Sequence, residues 1–169
     1  MFTRLLLRDA GITAAVLSLW WFAWPVTAAS GPLSDVLGLL LGFGAGVLAY
    51  LGHEWGHLLG AFATGAHVRP PAKLGSAFLF SFDSRRNSQT QFVVMSLSGF
   101  AVTGVALWVA YGLLPDGDFA VRILRGMVVF SASLTLLLEV PLLTISLVRG
   151  SILAQAEVFP ASDPAQKNM

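Results

Sequence analysis

Between Val36 and about Ala66 the sequence is apolar almost throughout, longer than the ~20 residues a helix needs to cross about 30 Å of hydrocarbon. A segment in that setting must satisfy its own backbone hydrogen bonds, which a helix does within itself. Three more runs of this kind follow the same logic, at about 10–29, 92–114 and 119–148. With 56% hydrophobic and 11% charged residues, the chain is too apolar for a water-soluble domain. The expected fold is an all-α membrane protein, a bundle of four transmembrane helices forming one domain over 1–154, with a polar tail over 155–169. A formal charge of +1 gives no argument for nucleic acid, and the absence of cysteine excludes disulfides and thiolate metal ligands.

Arg4 and Arg8 precede the first run, and Trp20, Trp21, Trp24 and Pro25 mark its far end as an interfacial aromatic belt. Val26-Thr27-Ala28 also allows a second reading, a cleaved signal peptide. Ser34 or Asp35 can cap the second helix. That helix carries Gly38, Gly42 and Gly46, then Gly52, Gly56 and Gly60, two rows at four-residue spacing that let neighbouring helices approach closely. A polar loop runs from Ala66 to Gln91. Within it, Ala77 to Phe82 has β propensity, with Phe78, Phe80 and Phe82 on one face of a possible strand. Two readings of this loop stay open: a short strand or hairpin whose edge can pair with an extended peptide, or a segment lying in the membrane interface by its aromatics. In the third helix Ser96, Ser98, Gly99, Thr103 and Gly104 form a small, polar-flecked packing surface. In the fourth, Pro141 leaves the Leu137 carbonyl without its helical partner, so the helix should loosen beside Glu139. Eight of the ten basic residues fall on one side if both termini are cytoplasmic, which fixes the expected orientation.

The chemistry is concentrated in His53-Glu54-Trp55-Gly56-His57. Four residues advance a helix by a little over one turn, so the two imidazoles project from one face and can converge on one metal ion. Glu54, about 100° away around the helix, can lie beside the metal's open position and take a proton from bound water. Ionisable groups inside a membrane segment mark functional sites by default. Counting inward from the expected helix ends, His57, Glu139 and Thr103 all lie roughly 13–17 Å from the cytoplasmic boundary at 1.5 Å per residue. Glu139 is therefore the candidate third ligand of a His2Glu zinc site with water in the fourth position. Its other reading is a protonated acid bonded to a neighbouring helix. His67 reads as a solvated loop residue, and Asp83 is a further acid from the same loop.

His53-Glu54-Trp55-Gly56-His57, continued by Leu58 to Val68, resembles the H-E-x-G-H motif of the site-2 protease family of intramembrane zinc metalloproteases. Ser98-Gly99-Phe100-Ala101-Val102-Thr103 is similar to that family's second motif, G-P-x-x-N, with Phe100 for Pro and Thr103 for Asn. The resemblance spans roughly Val36 to Thr144. It departs from the family at the third motif, an Asp-Gly pair whose Asp is a zinc ligand. If Pro141-Leu142 matches the family's Pro-Leu, the Asp position falls on Leu143, and Glu139 sits one turn earlier. Ala63 stands where zincins of the H-E-x-x-H-x-x-G-x-x-H type carry their third His.

The resemblance implies a zinc metalloprotease that hydrolyses a peptide bond of a membrane-embedded or membrane-proximal protein. His53, His57 and Glu139 would bind Zn2+ and Glu54 would be the catalytic base. The second motif implies substrate-binding roles for Gly99 and Thr103. The alternative is a non-catalytic relative that keeps the bundle and serves as a partner-binding subunit of a membrane complex. Assembly with a second copy of the chain is also compatible with the sequence. A lipid-directed hydrolase is a third class that nothing in the chain favours.

Overall fold

The structure, a computed structural model, describes residues 1–27 and 31–152; the tail expected over 155–169 lies outside the described residues. Helix α1 spans Phe2–Thr27, α2 Pro32–Ala63, α3 Gln89–Trp108, α4 Phe119–Leu134 and α5 Val140–Arg149. A π-helical turn at Val109–Leu113 extends α3, and another at Thr135–Glu139 joins α4 to α5. Among the described residues, four helical segments are long and apolar enough to cross a membrane: Phe2–Thr27, Pro32–Ala63, Gln89–Leu113 and Phe119–Arg149.

Helix starts differ from the sequence expectations for local reasons. α1 begins at Phe2 rather than at 10, because the polar residues there have partners inside the fold: Asp9 is 4% exposed and accepts from Arg8 Nε (2.6 Å) and Trp55 Nε1 (2.8 Å). α2 begins at Pro32, whose fixed φ suits the first helical turn. Ser34, expected as a cap, instead donates to the Thr27 carbonyl at 3.0 Å. α3 starts at Gln89 on a capping box, with Ser88 Oγ accepting from the Gln91 amide and Gln91 Oε1 accepting from the Ser88 amide.

α2 is the central post of the bundle, packed against α3, α4 and, less extensively, α1. Its glycine rows face two different neighbours. A Cβ at Gly42 would stand 2.4 Å from the Ala120 carbonyl and one at Gly46 2.4 Å from Met127 Cβ, both on α4. A Cβ at Gly56 or Gly60 would collide with Ser98 or Val102 of α3. One small-residue row therefore admits each helix, where dispersion contacts rather than hydrophobic exclusion hold a bundle together.

The loop after α2 contains a two-residue antiparallel ladder, β1 (Val68–Arg69) with β2 (Ser81–Phe82), Val68 opposite Phe82 and Arg69 opposite Ser81. The buried Asn87 side chain bonds both backbone groups of His67, holding β1 in place. Phe82 packs with Ala61, Phe92, Met95 and Leu143 in the core at this end of the bundle. The longer strand over Ala77 to Phe82, with three phenylalanines on one face, does not form. Pairing stops at Ser81, and it is Leu79 that is fully buried while Phe78 is 36% exposed.

Candidate metal centre

His53 and His57 face inward from α2, 3% and 8% exposed. Their Nε2 atoms lie 2.9 Å apart, and the Glu139 carboxylate meets both, Oε1 at 3.1 Å from His53 Nε2 and Oε2 at 3.0 Å from His57 Nε2. The ligand atoms of these three residues all lie within 4.8 Å of one another.

The groups behind the rings decide what this cluster wants. His57 Nδ1 is 2.9 Å from the Met95 carbonyl, and His53 Nδ1 is 3.1 Å from the Gly99 carbonyl and 2.8 Å from Thr103 Oγ1. A carbonyl only accepts, so each Nδ1 carries the proton and donates, and in the neutral ring Nε2 then holds the free lone pair, aimed at its twin and at a carboxylate. Two imidazoles and a carboxylate brought together in this way form a donor set that could hold a cation. Donors held about 2.0–2.1 Å from a tetrahedral zinc stand roughly 3.3–3.4 Å apart, so an opening of a few tenths of an ångström admits the ion. Two imidazoles and a carboxylate, with no sulfur, match the donor set of a catalytic zinc that keeps a fourth position for water. The residues present fit the metal.

Pro141 puts Glu139 where it is. Without an amide proton at 141 the helix cannot keep an unbroken α ladder, and the turn before it widens: the Val140 amide bonds the Thr135 carbonyl, five residues back. Glu139 ends that wide turn and reaches α2. Leu143, on the position that the Pro-Leu motif match gives to the acid, packs in the core with Ala61 and Met95 instead.

The two residues given substrate-facing roles by the motif match face the histidines. The Thr103 hydroxyl is taken up by His53. Gly99 gives the His57 ring its space, since a Cβ there would stand 2.2 Å from the ring. Glu54 is 7% exposed, and its Oε2 accepts from the Leu79 amide at 3.3 Å. His67 is exposed, and Asp83 pairs with Arg69 at 2.9 Å, so neither joins the cluster.

Sequence reasoning passed over two residues near the site. Tyr50, one turn before Glu54 on α2, donates to the Ala77 carbonyl at 3.0 Å. Asp9 is the buried acceptor for Trp55, and an acid beside Arg8 at the rim of an apolar run was the available signal. Comparisons of the chain with protein-family models, with curated proteins and with solved structures find no match.

Proposed function

We propose that this protein is an intramembrane zinc metalloprotease of site-2 protease type, cleaving a peptide bond in a membrane-embedded or membrane-proximal protein. One observation carries the reading: Glu139, 82 residues beyond His57, meets both imidazoles, with each ring oriented from behind by a carbonyl. A bound zinc would supply Lewis acidity, polarising a water and a peptide carbonyl. His53, His57 and Glu139 would hold the ion, with Thr103 fixing the ring plane of His53. Glu54, next to His53 on α2, takes the proton from the attacking water. The water oxygen adds to the peptide carbon as the carbonyl π pair moves onto oxygen. When this tetrahedral adduct collapses, the C–N bond breaks with Glu54 returning the proton to the leaving nitrogen. The site's depth within α2 directs it to substrates in or near the bilayer, and the basic-residue bias argues for cytoplasmic termini.

The engagement of Glu54 by the Leu79 amide favours a second reading, a non-catalytic partner-binding subunit. The two part at Glu54→Gln. In a protease this variant keeps its zinc and loses about 10²–10⁴-fold in hydrolysis of a membrane-protein substrate, the usual worth of a general base. Unchanged cleavage by the variant would overturn the mechanism, and zinc-loaded wild-type protein inert toward every membrane substrate tried would favour the binding subunit.

A further inference from the structure

Leu74 to Leu79 crosses the face of α2 beside the metal centre, and polar side chains from two helices grip its main chain. The Arg8 guanidinium donates to the carbonyls of Leu74 and Ser76, the latter at 3.0 Å. Tyr50 Oη donates to the Ala77 carbonyl at 3.0 Å, and Glu54 Oε2 accepts from the Leu79 amide at 3.3 Å. Tyr50 and Glu54 are one turn apart and share a face of α2. Together they offer a donor to one peptide carbonyl and an acceptor to an amide two residues on. Every peptide carries those groups, whatever its side chains. Leu79 is fully buried against the helices, so the segment covers the Glu54 carboxylate as a bound chain would.

We infer that Tyr50 and Glu54 form a cleft that binds peptide backbone, and that Ala77–Leu79 occupies this cleft in the closed chain, latched by Arg8. The inference rests on the metalloprotease reading and names its substrate contact: Tyr50 hydrogen-bonds a carbonyl of the substrate once the segment has left. Arg8 is itself held by the buried Asp9, which Trp55 of α2 anchors, so the latch joins α1 to the same helix that carries the site. Glu139 keeps 35% of its side chain exposed, so part of the donor set is left uncovered by the segment.

The test uses the full-length, zinc-loaded protein in detergent with two probes, acetohydroxamate and a peptidyl hydroxamate. Arg8→Gln opens the latch and leaves every metal ligand intact; Leu79→Ser removes the buried anchor and guards against a folding defect in the first variant. Both variants should bind the peptidyl probe about tenfold more tightly, the gain when a competent state populated at roughly one tenth becomes dominant. Acetohydroxamate affinity should not change. Adding Tyr50→Phe to Arg8→Gln should abolish the peptidyl gain alone. Amide exchange across Leu74–Leu79 should quicken in Arg8→Gln with or without metal, while α3 exchanges as before. Unchanged peptidyl affinity and unchanged exchange in both variants would overturn the latch. A fall in peptidyl affinity would make the segment a wall of the cleft rather than its occupant. If wild-type protein binds neither probe, the metal-centre reading itself fails, a result separate from failure of the latch.

Discussion

What suits His53 and His57 to bind a metal lies on the far side of their rings. The Met95 and Gly99 carbonyls accept from Nδ1, so in the neutral ring Nε2 is the nitrogen left to bind an ion. Thr103 adds a second acceptor behind His53 at 2.8 Å. Thr103→Val removes that acceptor with little change in volume, and zinc affinity measured by chelator competition should fall about 10–100-fold, the range for a lost partner behind a ligand. Unchanged affinity would return Thr103 to the substrate-facing role its motif implies. The imidazole pair and Glu139 were readable from residue type and depth alone. The Met95 carbonyl was not, because a main-chain acceptor leaves no mark in the sequence. Nor was Gly99's contact with the His57 ring, since a glycine in a packing row looks the same whichever helix or ring it faces.

At the scale of elements, the π turn at Thr135–Glu139 is the device that brings a carboxylate to a two-histidine helix. Pro141 predicted a loosened helix beside the acid, and the widened turn is that loosening. Its consequence was less visible: one extra residue per turn shifts everything upstream around the axis by about 100°, so small errors in helix phase decide which acid arrives. Pro141→Ala restores the missing amide and removes the reason for the wide turn. Zinc affinity should drop about tenfold or more as Glu139 rotates away, while helix content by circular dichroism holds. Full zinc affinity in this variant would mean that tertiary packing, not Pro141, sets the turn. The loop was read less well. Alternating phenylalanines suggested a strand over Ala77 to Phe82, yet polar groups on α1 and α2 take the backbone of Leu74 to Leu79, and ladder pairing is left to Ser81–Phe82.

For the whole molecule, α2 carries the metal motif and both glycine rows, so the site is built on the helix with the most neighbours. Four apolar spans and their glycine spacing were evident from the sequence; the start of α1 was not, because apolarity marks what can lie in lipid rather than where a helix begins. The basic residues predict an orientation: with both termini cytoplasmic, the loop after α2 would face the cytoplasm and the turn before α4 would face away. The chain has no cysteine, so single cysteines report sidedness cleanly. In sealed inside-out vesicles, Gly75→Cys should react with an impermeant maleimide and Gly117→Cys should not, and the reverse pattern would invert the topology.

The most direct test of the account is X-ray absorption at the zinc edge on purified full-length protein, paired with metal stoichiometry for wild type and Glu139→Gln. The account predicts about one zinc per chain in a nitrogen and oxygen shell near 2.0 Å that includes two imidazoles, with stoichiometric zinc lost in the variant. A folded wild-type protein that takes up no zinc, or a variant that holds it in the same shell, would contradict it.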